Sequence, residues 1–247
     1  MTYVEPAGSG VGYWRVLLRR PSKRNAVDDD LAAKLRRGIA EIEVERGLPL
    51  VFLRGDGPAF CAGADLRTLS SLDENSAAPF ISGLHRALDA VRQLDVITVA
   101  LIQGACVGAG FELAASCDLR IARPDAWFSM PEVVVGVPSV IEAALLPRLI
   151  GWSTCADLVL TGRRMIAAEA LERGLLREIS EDSWDQVENR LVEEVAALDA
   201  EAVRAQKKLL RTWEESFPSE AIRAGIDAFA GCYREPDRVR RRIESSR

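Results

Sequence analysis

Two rhythms organise the apolar residues of this chain. Short runs of aliphatic residues at Tyr13–Leu18, 50–53, 96–102, 119–122 and 175–179 are bounded by glycine, proline or charged turns, which predicts strands. Between them the apolar positions space out. Leu31, Leu35, Ile39 and Ile42 recur at helical spacing within 28–45, and Asp28, Asp29 and Asp30 open that segment where a helix dipole favours acids. Ile81, Leu84, Leu88 and Val91 form one face of a predicted helix over 79–94. Shorter helices are predicted over 65–72, 108–116, 140–149, 154–160 and 167–172, with Gly174 ending the last, and 55–63 reads as a Gly/Pro-rich loop. From Trp184 onward the pattern is almost all helix, interrupted near Pro218 and Pro236. Strands alternating with helices to about residue 180 imply an α/β core, 1–182, followed by a helical region, 183–247.

A chain of 247 residues, 48% hydrophobic and 28% charged, can bury a substantial core without staples. Its net charge of -5 argues against a general nucleic-acid binder, which needs a basic face. The five cysteines, Cys61, Cys106, Cys117, Cys155 and Cys232, are odd in number and show no CxxC spacing. They read as buried free thiols of a reducing, cytoplasmic setting. Residues 1–12 lack the basic and apolar regions of a secretory signal. The stretch 96–117 has the length of a membrane span and a single charge, Glu112. Gln103 and glycines 104, 108 and 110 divide it into a strand, a turn and a buried helix instead, so no membrane partner is expected.

Glu112 is the first candidate for chemistry. It lies in Gly108-Ala109-Gly110-Phe111-Glu112-Leu113-Ala114-Ala115, with no other polar side chain before Ser116. A carboxyl in such surroundings is costly unless paired or protonated, and its pKa tends upward, which suits a general acid or base. Glu132, in Phe128-Ser129-Met130-Pro131-Glu132-Val133-Val134-Val135, is a second lone acid; a loop salt bridge is its bland alternative. Two acids in dry surroundings can divide acid and base roles. The turn from Gly104 to Gly110 exposes N–H groups at a helix start, and the loop Ala59-Phe60-Cys61-Ala62-Gly63-Ala64-Asp65 could add another, although both are also simple turn chemistry. A dinucleotide fingerprint at Gly108-Ala109-Gly110 is disfavoured, because Leu113 stands where a third small residue belongs. His85, the sole histidine, reads as an exposed or structural helix residue. With no cysteine cluster beside it, no metal site is expected.

Several of these segments resemble, in order, the blocks of the enoyl-CoA hydratase/isomerase (crotonase) superfamily. They are Arg20-Pro21 with Arg24-Asn25-Ala26, then 59–66, then 104–118, then Met130-Pro131-Glu132 with Gly136, and finally Leu160-Thr161-Gly162 with Ala167-Ala168-Glu169-Ala170 and Gly174-Leu175. The resemblance runs from about residue 13 to 235. It implies a ββα spiral core with a C-terminal helical trimerisation region, assembled as a homotrimer or homohexamer. It also implies an acyl-CoA substrate, coenzyme A being part of the substrate and no separate cofactor being needed. The thioester oxygen would be held by the backbone N–H groups of Ala64 and Ala109, and Glu112 and Glu132 would handle water and the α-proton. Coenzyme A would lie near Lys23, Arg24, Ala62 and Asp65, where the basic cluster Arg19, Arg20, Lys23 and Arg24 could attract its phosphates.

Two segments depart from the family pattern. Many hydratases carry a Pro-Gly-x-Gly-Gly run after Gly136, but this chain reads Val137-Pro138-Ser139-Val140-Ile141-Glu142-Ala143-Ala144. Val137, Ser139 and Glu142 are therefore expected at the acyl pocket, where Ser139 and Glu142 could alter water placement or substrate choice. The C-terminus, 239–244, also differs from the usual closing helix. The favoured expectation is hydration of a 2-enoyl-CoA within fatty acid metabolism. The alternatives are isomerisation, thioester hydrolysis or C–C cleavage at the same site, or a non-catalytic acyl-CoA-binding homologue.

Overall fold

The computed structural model describes residues 3–7, 12–42, 47–234 and 236–245. In chain order the strands are β1 (Tyr3–Ala7), β2 (Tyr13–Leu18), β3 (Leu50–Gly55), β4 (Ile97–Ile102), β5 (Ala105–Val107), β6 (Leu119–Ala122), β7 (Trp127–Ser129), β8 (Arg164–Ile166) and β9 (Glu178–Ile179). The helices are α1 (Asp29–Ala40), α2 (Leu66–Ser71), α3 (Glu74–Arg92), α4 (Ala109–Ala115), α5 (Leu146–Ile150), α6 (Trp152–Thr161), α7 (Ala167–Glu172), α8 (Trp184–Ala196), α9 (Ala200–Glu215), α10 (Pro218–Cys232) and α11 (Pro236–Ser245).

The two sheets share one winding. The larger has the order β1-β2-β3-β4-β6-β9, antiparallel at β1–β2 and parallel elsewhere. A smaller ladder repeats the order beside it, through Val27 with Ala64, Cys61 with Cys106, and β5 with β7. Each successive turn of chain thus lends one segment to each sheet before entering a helix, which is the expected ββα spiral. β8 closes the smaller sheet antiparallel to β7.

Parallel strands covered on both faces are apolar throughout, and these are. Val51 and Leu53 of β3 and Ala100 and Ile102 of β4 point into the core shared with α1, α3 and α4. Their alternates Leu50, Phe52, Val99 and Leu101 point to the opposite face, where Trp184, Val187, Leu191 and Val195 of α8 cover them. That second face holds a buried acid, Glu188. It accepts hydrogen bonds from the Tyr13 hydroxyl at 3.0 Å, Arg15 Nε at 2.6 Å and Arg54 Nη1 at 3.1 Å.

Several boundaries differ from expectation for local reasons. The helix expected over 28–45 is α1, capped by the Asp28 side chain on the Leu31 N–H, and positions 43–45 lie outside the described residues. The helix expected over 79–94 starts earlier, because Asp73 and Ser76 form a capping box. The segment 140–149 is not one helix. A 3-10 turn, Ile141–Leu145, precedes α5, whose first turn contains Pro147. Of the strand expected over 175–179, two residues pair. The Leu175 N–H is taken by Ala170 and its carbonyl by Arg120 Nε. Among the described residues no helix is long and apolar enough to cross a membrane, and no His/Cys/Asp/Glu group could hold a metal ion.

Candidate active site

The smaller ladder decides where the site forms. The Cys61 N–H donates to Ala105 and the Val107 N–H to Cys61, so the loop after β3 and the segment after β4 run side by side. Ala64 ends the first and Ala109 the second. Between them Gly63, at φ 93°, lies against Val107: a Cβ there would sit 2.9 Å from its carbonyl oxygen and 3.8 Å from the Ala109 nitrogen. The neighbouring N–H groups are taken: Val27 donates to Gly63, Asp65 to Val27, and Gly108 to Ser129. Among the described residues no protein acceptor takes the N–H of Ala64 or of Ala109. Ala109 is the first residue of α4, where an unpaired donor is also helped by the helix dipole.

Both N–H groups border a cavity of about 510 Å³. Glu112 and Glu132 line it too, together with Leu69, Phe80, Ile81, Leu84, Val137 and Val140. Gly108 shows why the two acids converge. It has φ 50°, and a Cβ there would overlap Glu132 Oε1. Glu132 begins a 3-10 turn, Glu132–Val135, and its Oε2 accepts a 2.8 Å hydrogen bond from the Ser139 hydroxyl.

Glu112 is 4% exposed, and its Oε1 accepts from the Ala143 N–H at 3.0 Å. Burial pushes its pKa up to about 8. The Ala143 N–H works in the opposite direction, while the charges of Glu132 and Glu142 add to the rise. Glu112 therefore holds a proton at neutral pH. Glu142 does not line the cavity. It is buried behind it, with Oε1 2.6 Å from His85 Nδ1. Burial raises the Glu142 pKa and His85 opposes that rise.

The remaining expected site residues are placed as follows. Ala62 borders the cavity and donates its N–H to the Arg24 carbonyl, bringing the basic turn beside it. Lys23 and Arg24 have exposed side chains, with Arg24 at φ 48°. Asp65 caps α2 through the Arg67 N–H. Arg20 does not face outward, because Asp28, Asp65 and the Ala26 carbonyl hold it, and Arg19 pairs with Asp56. Asn25, fully buried, ties this turn to the next loop through Nδ2 on the carbonyls of Asp56, Ala59 and Phe60. Ser139 reaches Glu132 and is not among the cavity-lining residues. Sequence reasoning missed the His85–Glu142 and Ser139–Glu132 contacts, and the glycine run at 104–110 was the one signal that position 108 needed special backbone room.

Fold and cavity together define a crotonase-type α/β enzyme. The chain belongs to the enoyl-CoA hydratase/isomerase family, whose model matches residues 9–236. The chain is 33% identical to an enoyl-CoA isomerase/hydratase of Mycosarcoma maydis, over 74% of this chain and 71% of the relative. It is 28% identical to a peroxisomal Δ(3,5)-Δ(2,4)-dienoyl-CoA isomerase of Arabidopsis thaliana, over 88% and 82%. The crystal structure of an enoyl-CoA hydratase from Bacillus anthracis superposes with a TM-score of 0.90 at 26% identity, covering 99% of this chain and 96% of that one. The protein is thus an enoyl-CoA hydratase or a related enzyme of that family.

Proposed function

We propose that the enzyme adds water reversibly to a 2-enoyl-CoA. The observation that carries this reading is the meeting of two unpaired backbone N–H groups and two carboxyls in one otherwise apolar cavity. The Ala64 and Ala109 N–H groups hold the thioester oxygen and stabilise it as charge develops. Glu112, once ionised, takes a proton from water as the water oxygen bonds to C3. The resulting enolate collapses as Glu132 gives a proton to C2. One water is added, and the proton gained by Glu112 resets Glu132 before the next turnover. Lys23, Arg24, Ala62 and Asp65 lie on the side where the nucleotide end of coenzyme A would run, and Val137 borders the acyl chain. Coenzyme A enters as part of the substrate, with no separate cofactor.

Because the two acids must share one proton, which Glu112 passes to Glu132 before acting on water, kcat/KM for hydration falls as that proton is lost above about pH 8. Double-bond isomerisation is the second reading, since two acids on one cavity can also move a proton between C2 and C4. Crotonyl-CoA tests the first and a 3-enoyl-CoA the second. Turnover of the 3-enoyl substrate with none of crotonyl-CoA would overturn the hydratase reading. A trimer, alone or paired into a hexamer, is supported by α10, which leaves Ile222, Ile226 and Phe229 on one exposed face. A monomer mass of 27.0 kDa in light scattering at micromolar concentration would contradict it.

A further inference from the structure

The 3-10 turn Ile141–Leu145 reaches two helices with adjacent residues. Glu142 meets His85 of α3 at 2.6 Å, and the Ala143 N–H meets Glu112 of α4 at 3.0 Å. Glu142 is 5% exposed, and its Oε2 is buried with no hydrogen-bond partner among the described residues. His85 is 49% exposed, so it meets Glu142 from the solvent side. The residue before the pair, Ile141, has φ 45°, a conformation a β-branched residue keeps only where its surroundings hold it. Filling this space alone would not call for an acid, because a carboxyl is costly to bury and an aliphatic side chain is not.

We infer that His85 and Glu142 form a positioning pair for Glu112: His85 anchors Glu142, and Glu142 fixes the turn whose Ala143 N–H orients the Glu112 carboxyl. The charged groups facing Glu142 are His85 and Asp89 from α3 and Glu112 from α4. The charge of Glu142 also adds to the upward pressure on the Glu112 pKa. The pair deepens the hydratase reading, which assigns Glu112 a working role, but its first test does not depend on turnover.

That test titrates the Glu112 carboxyl by NMR in protein carrying ¹³C-labelled glutamate. The signal is assigned by its loss in Glu112→Gln. In Glu142→Gln the Glu112 midpoint should move to higher pH, because the loosened turn withdraws the Ala143 N–H, whose lowering effect outweighs the like charge that has gone. In His85→Leu the anchor of Glu142 has gone and the same turn loosens, so the Glu112 midpoint should rise as well. The double variant should rise no further than Glu142→Gln. Circular dichroism checks the fold of each variant, and both substitutions are mild: one is isosteric and the other is at a half-exposed helix position. A second readout is turnover of crotonyl-CoA and a 3-enoyl-CoA, where kcat should drop about 10-fold at unchanged KM as the turn loosens. A Glu112 midpoint that stays in place or falls in both variants overturns the positioning pair. Full activity in Glu112→Gln alongside a shifted midpoint in Glu142→Gln would instead break the hydratase reading and leave the pair standing.

Discussion

Glu188 and Glu112 are both buried glutamates on helices, one on each side of the larger sheet, yet their surroundings are opposite. Glu188 is fully buried on α8 and met by Tyr13, Arg15 and Arg54. Its three donors, two of them guanidinium groups, tie the helix to β2 and β3. The same contact pushes the Tyr13 hydroxyl up to about 12, chiefly through burial and then through the Glu188 charge. Among the described residues Glu112 has one backbone donor, two other acids nearby and no cation, so it keeps its proton. Burial alone therefore does not decide what a carboxyl does. Its partners determine whether it locks the fold or exchanges a proton.

Removing each acid should expose that difference. Glu188→Ala removes the buried acceptor shared by a tyrosine hydroxyl and two guanidinium groups, leaving Arg15 and Arg54 only the exposed Asp185 as an acidic partner among the described residues, so denaturant unfolding should show a loss of about 3–5 kcal/mol. Unchanged stability would break the comparison at its structural end. Glu112→Gln should leave the fold intact and lower kcat by roughly 10²-fold or more, about 3 kcal/mol in the barrier, and Glu132→Gln should do the same. Wild-type turnover in both single variants would remove the acid pair from the mechanism.

Stability against pH should separate the two acids next. The folded pKa of Glu112, about 8, lies above its ordinary value of 4.5. Between those limits the native state binds more protons than the unfolded one, so this group's contribution to stability falls as pH rises. From pH 6 to 7.5 the wild type should lose about 2 kcal/mol relative to Glu112→Gln, measured by urea unfolding. Parallel curves would mean that Glu112 is ionised throughout. The smallest effect is expected at Ala109→Ser, which keeps the backbone donor and should retain nearly full kcat. Ala109→Pro removes the donor and should cost about 10²–10³-fold in an enzyme that circular dichroism shows to be folded.

Much of this was legible in the sequence where a periodic pattern or an odd residue stood out. β2, β6 and α7 fall where aliphatic runs and Gly174 place them. Glu112 was visible because its helix holds no other charge. Glu188 was not, since Gln186, Asn189 and Arg190 around it read as an ordinary wet helix face. Its partners lie more than 130 positions away in the chain. β5, β7 and β8 were missed because three residues carry no detectable period. Glu142 drew attention as a departure from the family pattern, but nothing local links it to His85, 57 positions earlier.

The ladder between Cys61 and Cys106 has one more consequence. The donors at Ala64 and Ala109 are held by main-chain pairing, so side-chain drift at those two positions leaves them in place. The acids sit elsewhere, on a helix face and on the turn after β7. In the proposed mechanism, anchoring the thioester and choosing what happens to it are thus separately mutable. On that mechanism, a lineage carrying this scaffold could exchange one acid for another and acquire a different reaction without rebuilding the donors proposed to grip the carbonyl.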